Sequence, residues 1–262
     1  VATLLWANLS PHRDSHGMNT DMATNLAGGV NLGQLNACVL RAARLNSNCA
    51  PTGGVNGGIV TAALMTLTAD PDTDEGQVFE PETACGSYLY TYEDDPVVKR
   101  YNLSGEIGLF DWEMMALLFG GNLILGRAAG SFNGKAIGYS DKTFGAAPSN
   151  GVYLEVIVQN VLPGAGVCIG TGSTAAPVAT GYIFGRCKLV PGQTMFENDV
   201  KRVTFSGRAN QNPNLFNGPW NDYPGSTYIP NSPLVRVGYS QAEYDAITAA
   251  IGAGYKDLPA GS

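Results

Sequence analysis

Four groups of residues in this chain have types and spacings that could support chemistry. Asp70, Asp72, Asp74 and Glu75 place carboxylates at alternate positions, as a calcium loop does at its positions 1, 3 and 5. Such a loop also needs Gly at position 6 and a bidentate Glu at position 12. Here Glu75 and Pro81 stand there and Gly76 comes one residue late, so the run reads as a solvated acidic turn. His12 and His16 are four apart with Asp14 between them, a spacing that sets two imidazoles on one helix face for a metal. Pro11 and the Asn, Ser and Gly around it give no helix, and no HExxH glutamate follows. The pair reads as two exposed histidines on a flexible arm. They are the only histidines in the chain, so a histidine general base would have to come from that arm. The Gly-rich segment Gly164 to Ser173 suggests a phosphate cradle, but GxGxxG spacing and a following Lys-Ser/Thr are missing, and Pro177 follows where a helix should start. It reads as a long hairpin loop. Trp220 and Tyr223 are aromatics of the kind a carbohydrate-binding surface uses, in a Pro/Gly turn that equally suits inward packing. No carboxylate pair stands out as an acid/base couple. The sequence therefore assigns no catalytic, cofactor-binding or metal-ligating residue, and the expectation is a protein that is not an enzyme.

The cysteines and the charge narrow the class further. Cys38, Cys49, Cys85, Cys168 and Cys187 are odd in number, widely spaced and free of any CxxC pair, which suits neither a zinc site nor a secreted disulfide framework. Buried thiols in a reducing compartment are expected. A net charge of −7 argues against holding nucleic acid by phosphate neutralisation, which needs clustered Lys and Arg. Only 14% of residues are charged, against about a quarter in typical domains, so much of the surface must be neutral and polar. Such a surface is common where subunits cover one another. No apolar run approaches the roughly 18 residues of a membrane span. Val1 to Ala7 lacks the basic start and long apolar stretch of a signal peptide.

The elements that would position these residues are mostly strands. With 34 glycines and 15 prolines in 262 residues, the chain has the turn supply of a many-stranded all-β unit, which at this length can be a single domain. Residues 1–36 show no sustained periodicity and are expected to form an extended N-terminal arm, ordered by a partner or not at all. Strands are expected from Val39 to Leu45, Ile59 to Leu67, and over 85–92, 98–109, 134–139, 151–161, 178–190 and 227–238. Asp111 can cap a short helix from Trp112 to Phe119, with Trp112, Met115, Leu118 and Phe119 on one side and Gly120 and Gly121 ending it. Ser240 and Glu243 form a capping box ahead of a C-terminal helix carrying Tyr244, Ile247 and Ile251 on one stripe. The expected organisation is an arm over 1–36, a β domain over 37–239, and a C-terminal helix and tail over 240–262.

One strand is written twice. Lys99 to Ile107 and, 102 residues on, Lys201 to Ala209 share Lys, Arg, Ser and Gly at four of nine positions, and both alternate apolar or Gly residues with polar ones. Arg100, Asn102, Ser104 and Glu106, and likewise Arg202, Thr204, Ser206 and Arg208, form the wet faces. Two like strands so far apart suggest one from each of two sheets packed face to face, so that their wet rows face different ways.

The order of segments resembles the major tail tube proteins of long, non-contractile-tailed bacteriophages. The resemblance rests on Arg44 to Cys49 before a Gly turn, the acidic exit Ala69 to Gly76, Cys85 and Gly86, Lys99 to Glu106 leading into Asp111, Trp112 and Glu113, and Phe205 to Asn221. It implies a mainly β, two-sheet sandwich or barrel with a short flanking helix, stacked as hexameric rings into a tail tube that conducts DNA without binding it specifically. It further implies tape-measure and tail-completion proteins as partners, no cofactor, and a place in the virion tail after assembly in the host cytoplasm. The arm, the acidic loop 69–76 and the Gly-rich loop 163–177 are expected to touch neighbouring subunits. A head decoration or tail-completion protein, and a carbohydrate-binding or hydrolytic β-sandwich, are the competing expectations.

Overall fold

The structure, a computed structural model, describes residues 33–82, 90–108, 111–143, 149–161, 177–193, 202–215, 218–220 and 232–259. Among the described residues thirteen strands and two helices follow in chain order. The first five strands are Gly33–Arg44 (β1), Gly54–Thr61 (β2), Leu64–Asp74 (β3), Val78–Phe79 (β4) and Tyr92–Glu93 (β5). Val97–Ile107 (β6) leads into the helix Trp112–Phe119 (α1), then Asn122–Leu125 (β7), Ala136–Ser140 (β8) and Val152–Val161 (β9). Ala179–Pro191 (β10), Val203–Asn210 (β11), Val235–Tyr239 (β12), the helix Gln241–Ala249 (α2) and Lys256–Leu258 (β13) complete the chain. The protein is mainly β, and its named strand pairings are antiparallel.

Nine strands form one sheet in the order β13-β2-β1-β9-β10-β11-β6-β3, with β12 beside β10; β4–β5 and β7–β8 are separate hairpins. The long strand β10 divides this sheet. Its residues 179–183 lie between β9 and β12, and after a register shift between Phe184 and Cys187 its residues 186–191 pair with β11. The sheet folds back on itself about this strand. Leu64, Leu103 and Phe205 from one half share a single core with Leu40, Ile59 and Leu154 from the other. Hydrogen bonding thus makes one continuous sheet where two separate ones were expected.

The two copies of the repeated strand, β6 and β11, are neighbours rather than members of opposite sheets. They pair antiparallel with Ser104 opposite Ser206, so Leu103 meets Gly207 and Gly105 meets Phe205. Each copy offers one bulky residue and one glycine, and antiparallel pairing sets the bulk of one against the gap of the other. A Cβ at Gly105 would fall 2.6 Å from the Phe205 ring, and one at Gly207 would fall 2.2 Å from the Lys188 carbonyl oxygen. Gly105 is therefore required by the ring it faces on β11, and Gly207 by the close approach of β10 on its other side.

Both helices occupy the expected residues. Asp111 caps α1 by accepting the Glu113 amide at 2.9 Å, and Gly120 closes it in the left-handed conformation at φ 74°. The expected one-sided stripe is too narrow, because Met114 to Phe119 are all buried. The helix plugs the core between sheet and β7–β8, and each large side chain so enclosed contributes about 1.5–3 kcal/mol. α2 begins with the capping box of Ser240 and Glu243 and buries Ile247, whereas Ile251 lies beyond its end and is exposed. It packs on the opposite face of the sheet, over Val39, Val60, Ile157 and Tyr239.

The single strand expected from Ile59 to Leu67 is instead the end of β2 and the start of β3, broken at residues 62–63, and three further boundaries shift. β1 starts at Gly33, so Gly33 to Asn36, assigned to the arm, are strand, paired with β9 through two register shifts before Val39. The acidic run is not a loop: Asp70, Asp72 and Asp74 continue β3 against β6. The C-terminal tail returns to the sheet as β13, beside β2. Residues 1–32 of the arm, the Gly-rich segment Gly164 to Ser173, most of the expected strand 85–92 and the first part of that at 227–238 lie outside the described residues.

Candidate assembly surface

The fold places those chemical candidates that lie among the described residues. Successive side chains of a strand alternate, so Asp70, Asp72 and Asp74 share one face of β3. Opposite them on β6, Arg100 binds Asp72 and, at the strand's end, Lys99 binds Asp74 at 2.6 Å. Lys99, by hydrogen bond and charge, holds the Asp74 carboxyl below its ordinary value. These carboxylates are spread along a strand and two of them are neutralised by cations, so no cage for calcium forms. Among the described residues no group of three or more His, Cys, Asp or Glu could hold a metal ion. His12, His16, Tyr223, Cys85 and Cys168 lie outside the described residues. Cys49 is a half-buried free thiol, and burial pushes the fully enclosed Cys187 thiol far up. Trp220 packs inward, 5.9 Å from the Tyr153 ring and 4.6 Å from the Arg41 guanidinium.

Trp220 covers a charged cluster that the sequence did not disclose. Arg41 on β1 and Glu155 on β9 are directly opposite in register, both buried on the face beneath α2. Arg41 Nε donates to Glu155 Oε2 at 2.8 Å, and another guanidinium nitrogen donates to the Tyr239 hydroxyl at 2.8 Å. The hydroxyls of Tyr153 and Tyr239 both donate to the Glu155 carboxylate. A cavity of about 240 Å³ opens beside this cluster, between Trp220 and α2. Its polar groups are already engaged, Arg41 by Glu155 and Tyr239, and Glu243 by the Ser240 cap. The arrangement fastens three strands together and seats α2.

The surface suited to function is the wet face of β3, β6, β11 and the end of β10. Because β6 and β11 are adjacent, the two wet rows expected to face different ways form one plane. Asp70 lines up with Asn102, Asn102 with Arg208, and Arg208 with Lys188. The charge therefore runs from acidic at the free edge, β3, to basic at β10. On the basic side a groove of about 550 Å³ is lined by Arg100, Asn102, Lys188, Ser206, Arg208 and Asn210.

Two hairpins outside the large sheet each carry apolar side chains exposed to solvent. On and beside β4–β5, Phe79, Tyr90 and Tyr92 are each 57% exposed, with Val78 and Val97 nearly the same. On β7–β8 and its turn, Ile124, Leu125, Phe132 and Ile137 are exposed. Sequence reading expected strands over 85–92 and 134–139 but did not single out these residues, because a short strand does not show which of its apolar side chains a core will cover. Among the described residues no helix is long and apolar enough to cross a membrane. No protein-family model and no curated protein matches this chain.

Proposed function

We propose that this chain is a structural, non-enzymatic subunit that polymerises with copies of itself, and specifically that it builds the tube of a long non-contractile bacteriophage tail from stacked, hexameric rings. The observation that carries the reading is the pair of hairpins holding exposed aromatic and aliphatic side chains away from a complete core. A soluble monomer rarely leaves so many large apolar residues in water, and clusters of this kind mark contacts between proteins. The segment order noted above supplies the tail tube, and the net charge of −7 suits a conduit that must let DNA pass without gripping its phosphates.

Negative-stain microscopy of the purified chain tests this. Open-ended tubes of stacked rings are the expected result; discrete closed rings would indicate a head decoration or completion protein, and persistent monomers would overturn assembly altogether. Deleting residues 1–30 should shorten or abolish the tubes if the arm links neighbours.

A further inference from the structure

The groove on the wet face contains an arrangement that folding does not explain. Lys188 and Arg208 are directly opposite one another across β10 and β11, and both are exposed. Like charges in facing positions destabilise a sheet. Arg100 beside them is answered by Asp72, and Arg202 lies 3.7 Å from Glu106. Neither Lys188 nor Arg208 has a carboxylate within ion-pair distance among the described residues. This uncompensated pair stands in a chain with seven more acidic than basic residues.

The complementary charge is present elsewhere on the same molecule. Glu75, Glu80, Glu82, Glu93 and Asp95 surround the β4–β5 hairpin, all exposed and none paired with Lys or Arg among the described residues. At their centre are the exposed rings of Phe79 and Tyr90, 6.2 Å apart. An aromatic centre with a charged rim is the make-up of a protein contact, and aromatic rings also stack on guanidinium groups. No residue of that hairpin lines the groove of its own chain.

We propose that the Lys188–Arg208 groove receives the acidic β4–β5 hairpin of a second copy, a head-to-tail contact that joins subunits in series. This rests on the self-assembly reading and names the surfaces that carry it. Contacts between two different patches generate rings when the rotation closes and open filaments when it does not. A nucleic acid fits the face less well: phosphates following the groove across the sheet would meet Asp70 and Glu106 on the same plane.

Charge reversal in the full-length chain tests the proposal. Lys188→Glu with Arg208→Glu makes the groove acidic, and Glu93→Lys with Asp95→Lys makes the hairpin basic. Each double variant should raise the concentration at which light scattering detects assembly by about tenfold or more, because like charges then meet. An equimolar mixture of the two should assemble, as should the chain carrying all four changes. That rescue separates a broken contact from a misfolded subunit. Assembly by the groove variant at the wild-type concentration overturns the proposal, and so does failure of both the mixture and the fourfold variant. Unchanged assembly with lost retention of a short DNA duplex would overturn it in favour of a phosphate site. A wild-type chain that stays monomeric would instead refute the assembly reading itself.

Discussion

Removing one partner of the Arg41–Glu155 pair should be among the most damaging single changes in this protein. Arg41 is 2% exposed and Glu155 fully buried. Glu155→Ala would remove the carboxylate that faces the enclosed guanidinium and accepts from the hydroxyls of Tyr153 and Tyr239. An ion pair broken in this way costs about 3–5 kcal/mol, because the remaining charge stays desolvated. At roughly 2–4 °C per kcal/mol for a chain near this size, the melting temperature should fall by about 6–20 °C. Arg41→Ala should cost a similar amount, because it removes the cation paired with the buried carboxylate. The double variant removes both charges, so it should be milder than the sum of the singles by about 1–3 kcal/mol. Urea unfolding of the four proteins at one fixed concentration supplies the cycle, with concentration held because assembly stabilises the folded state. Additivity of the two single losses to within about 0.5 kcal/mol would refute the reasoning. So would a Glu155→Ala loss below about 1 kcal/mol, which is the range of an exposed pair.

Two further outcomes follow from local geometry. Gly207→Ala should destabilise the chain by about 1–3 kcal/mol in the same urea assay, since its methyl group would meet the Lys188 carbonyl and force β10 and β11 apart. Burial, then the Asp141 charge and hydrogen bond, push the Tyr139 hydroxyl up to about 12. A group raised in the folded state adds stability that is present below its unfolded value near 10 and is lost as pH rises through 12. Wild-type stability should therefore fall across that interval more steeply than that of Tyr139→Phe, which thermal melts at stepped pH would read.

Local signals proved sufficient for the local elements. Asp111 and Gly120 bound one helix and the Ser240–Glu243 box starts the other, because a cap acts on backbone groups within a single turn. Alternation located the long strands and separated wet from dry positions in β6 and β11, since side-chain direction is a property of one extended segment. The run of carboxylates misread the acidic segment: Asp70, Asp72 and Asp74 look like a solvated turn until Arg100 and Lys99 are placed opposite them.

Tertiary structure alone decided which strand lies beside which. Pairing joins residues about a hundred positions apart, and an amphipathic strand carries no mark of its partner, so the repeat was equally compatible with two sheets or with the antiparallel embrace of β6 and β11. β9 shows the same limit. Val152, Leu154 and Val156 were readable as a core face, but Tyr153, Glu155 and Ile157 are buried too, because α2 and Trp220 cover the other side. The charged cluster at Arg41 and Glu155 exists only because β1, β9 and β12 converge beneath that cover. The facing cations of the groove likewise became visible only in register. Composition and spacing determined what the strands are made of and which way their side chains point; long-range pairing determined which charges meet.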